Sequence, residues 1–315
     1  MLRFQADRRT LAFIAWYFVL LAGAWMAPFG WKWWPLTAAL VVALMITSWL
    51  NAVITHNVVH CPVWKNRTLN KLTQIALSLT YGFPVSDYIP GHNLSHHRYT
   101  QTRRDVMRTS KLQYRWHLLN LLFFFFYVGF DVVTANALYS KHAKGRAEKW
   151  HRQRWIETFI TWGVKAALIA IDWRKGILFV LVPHLWAVWG ITTTNLLQHD
   201  GADGEHPWNH SRNFVGKIFN WFTFNNGFHG MHHLEPGLHW SLLPAAHEAK
   251  LKPNMDPRLD ERSLALFLFR TFVWPGKRRM FDGSPIRFIE EGPDADWIGG
   301  DVIQNPADAE PSAAE

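Results

Sequence analysis

The chain has 315 residues, of which 49% are hydrophobic and 15% aromatic, and it carries a formal net charge of +9. Long apolar blocks alternate with basic segments, which is typical of a multi-pass membrane protein. No recognition motif accompanies the positive charge, so we predict no nucleic-acid partner. The single cysteine, Cys61, excludes an internal disulfide framework, and we interpret it as a small apolar filler rather than a thiolate ligand.

The N-terminal part contains two long apolar runs in quick succession. Residues 11–27 are long enough to span a bilayer, and residues 35–54 return across it after a tryptophan-rich turn at 28–34. The arginines before the first run resemble the start of a signal peptide. Because a second run follows so closely, a retained helical hairpin is the better interpretation.

Further along the chain we predict a second hairpin, formed by residues 155–171 and 176–197. Residues 72–90 are apolar but interrupted by glycine and proline, which favours a re-entrant or in-plane segment. Residues 117–135 also look like a span. A densely basic stretch at 141–154 follows them, so an interfacial helix is the simpler prediction for that segment.

These elements predict an all-α integral membrane fold. It contains two transmembrane helical hairpins, about four spans, together with interfacial helices and a cytoplasmic histidine-rich cap. We assign residues 1–280 to one membrane-embedded catalytic domain. After Phe281 the chain holds nine acidic residues and only Arg287 as a fixed positive charge, so residues 281–315 are predicted to form a disordered tail.

The most informative residues are histidines, which occur in four separate clusters along the chain. His229, His232 and His233 lie at positions i, i+3 and i+4, which share one face of a helix. Nine imidazoles exceed the four ligands that zinc usually takes, so the set suits two ions, and imidazole alone leaves iron, zinc, copper and nickel open. The other three clusters are His56 with His60; His92, His96 and His97; and Asn195 with His199.

Two classes of metalloenzyme are excluded by the motifs. Carboxylate-bridged di-iron bundles need paired Glu-x-x-His motifs, and only Glu148 with His151 has that spacing. The metalloprotease signature H-E-x-x-H is absent, because His247 and Glu248 lack the second histidine, and we interpret them as surface residues.

The motifs H-N-V-V-H at 56–60, H-N-L-S-H-H at 92–97 and H-G-M-H-H at 229–233 resemble the three histidine boxes of integral-membrane fatty acid desaturases and related hydroxylases. The pair Asn195 and His199 resembles the additional metal-ligand site of acyl-CoA desaturases. The resemblance covers roughly residues 10–250 in order and approximate spacing. It implies that the nine histidines hold two irons, which activate molecular oxygen, and that Asn195 holds a metal-bound water.

The resemblance therefore implies an oxygen-dependent di-iron membrane oxidoreductase that desaturates a fatty acyl chain of a lipid or acyl thioester. Hydroxylation, ketolation or oxidative decarboxylation of a lipid or carotenoid by the same centre is the alternative. A zinc membrane hydrolase and a non-catalytic metal-binding or transport protein are more distant alternatives. The sequence leaves open the chain length, head group and position of the substrate.

Electrons must come from outside, because the chain has no flavin motif and no fused heme domain. A ferredoxin-, rubredoxin- or cytochrome-type protein is the expected donor. The basic loops at 98–115 and 141–154 suit docking of an acidic donor and equally suit ordinary positive-inside charge.

Three histidines near the third box match no ligand position, and two acidic residues are candidates to anchor ring N–H groups. They are His206, His210 and His239, and Asp200 and Glu235.

Overall fold

The computed structural model describes residues 1–298, and most of these are helical. The α-helices, in chain order, are α1 (Asp7–Met26), α2 (Trp34–Val58), α3 (Arg67–Tyr81), α4 (Val85–Ile89), α5 (His97–Tyr99), α6 (His117–Ala143), α7 (Glu148–Ile171), α8 (Trp173–Gly176), α9 (Val182–His199), α10 (Lys217–Phe222), α11 (His229–Leu234), α12 (Leu243–Ala246) and α13 (Leu264–Leu268). Short 3-10 helices are Trp31–Trp33, Thr109–Lys111 and Pro257–Leu259, and π-helices are Pro90–His96, Ile177–Leu181, His247–Leu251 and Phe269–Val273.

Four helical stretches among the described residues are long and apolar enough to cross a membrane, which confirms the predicted helical membrane fold. They are Asp7–Met26, Trp31–Val58, His117–Ala143 and Trp173–His199.

The stretch His117–Ala143 was predicted as an interfacial helix, but it is long and apolar enough to cross a membrane. Helix α6 has 27 residues, or about 40 Å at 1.5 Å each, so it exceeds the hydrocarbon thickness of about 30 Å. Helix α7, predicted as an arm of the second hairpin, carries Glu157 and Lys165 within its apolar part and is not among the four.

The chain divides into two compact units. The first contains Met1–Ile89 and Ala143–Ile191. Its core joins α1 to α2 through Tyr17, Ala24 and Leu44, which are all fully buried. A second buried cluster joins α2, α3 and the first half of α9. It consists of Ala52, Val53, Tyr81, Ala187 and Ile191.

Helix α3 corresponds to the predicted in-plane segment and has clear start and stop signals. The side chain of Asn66 accepts a hydrogen bond from Leu69 N (3.0 Å), and Gly82 ends the helix in the left-handed conformation (φ 97°). Its 15 residues reach about 22 Å, which is too short to cross a bilayer. A Cβ at Gly82 would lie 2.3 Å from the ring of His184, so this close approach also requires glycine.

The turn after α3 leads into α4, and α7 fixes its backbone. Glu157 Oε2 accepts from Ser86 N (2.7 Å), and the indole of Trp150 donates to Ser86 O (3.1 Å). All three residues are buried, so the backbone of Ser86 is fixed through both its N–H and its carbonyl group.

The second unit contains Pro90–His142 and Thr192–Asp301, of which residues up to 298 are described. A parallel pair of short strands, β1 (Asn213–Phe214) and β2 (Asp260–Glu261), joins the segment after α9 to the C-terminal region. Residues 274–298 of this unit form turns and irregular backbone. The predicted domain boundary near 281 and the predicted disorder stay predictions, and residues 299–315 lie outside the described part of the chain.

Candidate metal centre

The second histidine box lies in a π-helix, Pro90–His96. A π-helix repeats its hydrogen bonds at i to i+5, so residues five apart become neighbours. His92 and His97 accordingly meet with their Nε2 atoms 3.2 Å apart. The ring of His96, although next in sequence to His97, joins a different set of histidines.

That set, which we name the first histidine group, belongs entirely to the second unit. Its potential ligand nitrogens all lie within 4.8 Å of one another. The Nε2 atoms of His199, His229 and His233 form a triangle with sides of 2.9, 3.1 and 3.2 Å. The π-helix, the end of α9 and α11 supply the four members, which are His96, His199, His229 and His233.

The donor set of this group fits a metal ion. Imidazole nitrogens that bind one ion at about 2.1 Å from neighbouring positions lie about 3.0–3.4 Å apart, close to the sides of the observed triangle. Nε2 of His96 is buried and has no hydrogen-bond partner among the described residues. A buried nitrogen without a partner is costly in a protein interior, and a bound cation would remove that cost.

Asp105 orients the ring of His96. Its Oδ2 accepts from His96 Nδ1 (3.0 Å) and from Gln101 N (2.9 Å), and its Oδ1 accepts from Met107 N (2.8 Å). Burial raises the pKa of Asp105, but His96 and the two backbone N–H groups outweigh burial and hold the pKa below its ordinary value. The ionised carboxylate keeps the proton on His96 Nδ1, so Nε2 presents its lone pair to the group.

The ring of His199 is oriented in the same way by a backbone group. Its Nδ1 lies 3.2 Å from the carbonyl oxygen of His210, which can only accept, so Nε2 again presents a lone pair. Burial, followed by the neighbouring His97 and His229, lowers the pKa of His233 well below its ordinary value. Neutral imidazole is the form that binds metals, so these surroundings prepare the group for an ion.

Helix α11 carries the third histidine box at the predicted i, i+3 and i+4 positions. Strand β1 fixes its first turn, because Asn213 Oδ1 accepts from Gly230 N (2.8 Å). A Cβ at position 230 would lie 2.8 Å from Cδ2 of the buried Leu251, so a larger residue here would require that side chain to shift.

Three further predicted ligands meet within the second unit. Nε2 of His97 lies 3.2 Å from that of His92 and 3.1 Å from that of His232. His92 and His232 are both buried, with exposed fractions of 4% and 3%. Seven of the nine predicted ligands belong to this unit, and the structure gathers them into two adjoining sets, connected by the consecutive residues His96 and His97.

The first box, His56 and His60, belongs to the first unit. Its rings are 5.7 Å apart and nearly perpendicular. The predicted helix was expected to continue through both residues, but α2 ends at Val58 and His60 lies in the turn that follows. His60 N donates to Asn57 O (3.2 Å), so this turn still places both rings side by side.

Asn195 is buried one turn before the end of α9, and its Nδ2 donates to the carbonyl oxygen of Met107 (2.9 Å). Asp105 and Met107 therefore tie one loop to both His96 and Asn195. Sequence reasoning missed Asp105, although a signal was present. It is the single carboxylate among the basic residues of 98–115.

The acidic residues considered as ring anchors have other partners. Asp200 lies 3.1 Å from Nε2 of His117, which is not a predicted ligand, and binds the guanidinium of Arg278. Glu235 pairs with Lys250 at the surface (2.5 Å). Neither carboxylate therefore has a predicted ligand ring among the partners shown here.

The unassigned histidines lie outside both sets. His206 Nδ1 accepts from Trp208 N and Asn209 N (both 3.2 Å), and His239 Nδ1 lies 2.8 Å from Ser241 Oγ. His210 acts on His199 through its backbone carbonyl. His247 was predicted at the surface, but it is fully buried with Nε2 3.1 Å from Asp260 Oδ2, because the strand pair brings Asp260 to it.

A comparison with protein-family models gives one match, described as fatty acid desaturase, over residues 31–263. The matched range contains all nine predicted ligands. The chain belongs to the fatty acid desaturase family. It is therefore an enzyme of the oxidoreductase class, in a family that uses iron, and the histidine sets of this desaturase-family protein fit a metal site. The comparison with curated proteins found no significant match.

Proposed function

We propose that this protein is an oxygen-dependent di-iron membrane oxidoreductase that inserts a double bond into the acyl chain of a lipid or acyl thioester. The observation that carries the proposal is the first histidine group. Four imidazoles from three separate segments, three of them buried, bring their ring nitrogens within 4.8 Å of one another, and Asp105 and the His210 carbonyl hold two of those rings. Membership of the fatty acid desaturase family supplies the class of reaction.

In this proposal nine histidines hold two irons within a catalytic domain of residues 1–280, and Asn195 positions a water next to them. The ligands are His56, His60, His92, His96, His97, His199, His229, His232 and His233.

The reaction needs a redox metal, because side chains cannot remove hydrogen from a saturated chain and zinc has no redox chemistry. Bound iron supplies the means to use dioxygen for removing two hydrogens from adjacent methylene carbons. The balance requires two further electrons and two protons, and the products are one double bond and two waters. An external ferredoxin-, rubredoxin- or cytochrome-type protein supplies the two electrons.

The protein's own residues orient the ligands and exclude solvent. His96, His199 and His229 are at most 2% exposed, so the centre is shielded from bulk water. The carboxylate of Asp105 and the carbonyl of His210 keep Nδ1 of their partners protonated and Nε2 available. We place the centre on the cytoplasmic face, because the basic segments 98–115 and 141–154 follow the positive-inside rule.

Expression in a host with a simple lipid profile tests the proposal. The wild-type protein, His232→Ala and the control His151→Ala are expressed to equal membrane levels, and total acyl chains are analysed by mass spectrometry. We expect chains that have lost two hydrogens with the wild type and with His151→Ala, and none with His232→Ala. Chains that gain one oxygen would instead establish the hydroxylase alternative, and three identical profiles would remove the catalytic proposal.

A further inference from the structure

An acidic segment near the C-terminus lies against a basic loop of the same unit. We name residues 103–111 the basic loop and residues 290–294 the acidic strap. Arg103 contacts the strap twice: its N donates to Glu290 Oε2 (2.6 Å) and its Nε donates to Pro293 O (2.7 Å). Its carbonyl also accepts from the N–H of Ala295, the residue after the strap (2.8 Å). The strap therefore contacts the basic loop through its backbone as well as through its charged side chains.

Two of the other three cations of the basic loop, Arg108 and Lys111, also contact the strap. Asp294 forms ion pairs with both Arg108 and Lys111, and Arg108 additionally donates to Gly292 O (2.5 Å). The side chains of Arg108 and Lys111 are only 4% and 6% exposed, whereas that of Asp294 is 33% exposed. The strap thus covers positive charge that would otherwise face solvent.

The opposite side of the same loop touches the metal centre. Asp105 holds His96, and Met107 O accepts from Asn195, as described above. Met107 is only four positions after Arg103, so the same short loop contacts the acidic strap on one side and the residues around the first histidine group on the other. An electron arriving on the outer side of this loop therefore has a short path to the centre.

We propose that the basic loop is the docking surface for an acidic electron-donor protein and that the acidic strap is its internal competitor. The inference rests on the proposed function, which needs two electrons from outside for each double bond. A reduced one-electron donor docks twice per turnover, is oxidised each time, and displaces the carboxylates of Glu290 and Asp294 from Arg103, Arg108 and Lys111. The carboxylate of Asp294 is one-third exposed, so salt can screen its ion pairs, and a partner with more negative charge can take the place of the strap.

Direct binding to the full-length protein tests the inference. The double variant Glu290→Gln/Asp294→Asn removes two charges that face the loop. The matched control Asp282→Asn/Asp296→Asn removes two charges from the same region, and these side chains instead accept from Ser284 N and Ile298 N. An acidic plant-type [2Fe–2S] ferredoxin is the probe, and its Kd is measured at low and at moderate salt.

At low salt we expect the strap variant to bind the ferredoxin at least about fivefold more tightly than the wild type, and the control to stay within about twofold. The difference should shrink as salt is raised. Equal affinities, an equal gain in the control, or no binding to either protein would overturn the inference. If the double variant does not fold, judged by its metal content, Glu290→Gln alone should still bind more tightly than the wild type, and no gain would overturn it.

The two proposals fail separately. The binding measurement needs neither substrate nor turnover, so a wild-type protein that yields no altered lipid overturns the proposed function without affecting the measured Kd. Unsaturated product together with unchanged affinities overturns only the role of the strap.

Discussion

The carboxylate of Asp105 lies 3.0 Å from Nδ1 of His96, and both side chains are fully buried. Because Asp105 also accepts from two backbone N–H groups, it keeps its position when the ring moves. The pair therefore connects an irregular loop to one corner of the first histidine group and sets which nitrogen of His96 faces the other three rings.

Asp105→Asn should weaken metal binding, since the amide has lost the charge that favours a proton on His96 Nδ1. We expect the affinity for iron to fall about 10- to 100-fold, as for other residues that hold a ligand ring. Metal titration of the purified protein measures this. In the control Asp203→Asn, the altered side chain accepts from Glu205 N, and iron affinity should not change. Wild-type affinity in Asp105→Asn would contradict the orienting role.

Asn195→Ala should separate activity from metal binding. The Asn195 side chain donates to Met107 O and is a neutral amide rather than an imidazole, so we expect iron content close to that of the wild type. Product formation should fall at least about tenfold, because the proposed water-positioning amide is lost. His199→Ala, measured in parallel, should lose both iron and product. An equal loss of iron in the two variants would instead make Asn195 a ligand.

Arg278→Ala should destabilise the second unit. It removes the partner of the buried Asp200 and the donor to the carbonyls of Thr109 and Leu112. Removing one partner of a buried ion pair typically costs about 3–5 kcal/mol, and thermal unfolding measures the loss. The neighbouring and exposed Lys277 provides the control, since Lys277→Ala should leave the unfolding temperature almost unchanged.

The same contact predicts a pH dependence. Burial raises the pKa of Asp200, but Arg278 and His117 outweigh it, so the pKa lies below its ordinary value. A depressed carboxyl pKa contributes stability that is fully present above the unfolded pKa of about 3.9 and is lost as the pH falls below it. The destabilisation by Arg278→Ala should therefore be the same at pH 6 and pH 8. A loss that varies across this range would show that another group titrates with the pair.

Gly82→Ala and Gly163→Ala should have opposite effects on the first unit. At position 82 the new Cβ would meet the ring of His184 at 2.3 Å, and the backbone has a φ of 97°. We expect a loss of more than about 2 kcal/mol from this clash and strain. At position 163, within α7, nothing lies within 4 Å, so alanine should be neutral or stabilise by up to about 1 kcal/mol. Thermal unfolding in detergent compares the two, and similar losses would contradict the close-packing argument.

Much of the site follows from local pattern. The histidine spacing at 229–233 predicts a shared helix face, and α11 confirms it, because side chains three and four apart depend only on helix geometry. The apolar runs before residue 60 likewise predict α1 and α2. Local pattern was less reliable for α6 and α7. The distribution of basic segments led us to predict α7 as a membrane span and α6 as an interfacial helix, but α6 is the one that is long and apolar enough to cross a membrane.

The sequence by itself determined the kind of ligand, the order of the boxes and the family. Each of these depends on which residues stand a few positions apart. Only the tertiary structure decided that His96 and His97, which are adjacent in the chain, belong to different histidine sets, and that Asp105 orients His96. It also decided that an acidic segment almost two hundred residues later covers the basic loop that contains Asp105. These relationships depend on a π-helical turn and on contacts between remote segments, whose free energies are settled by packing and charge pairing across the folded chain and leave no periodic trace in the sequence.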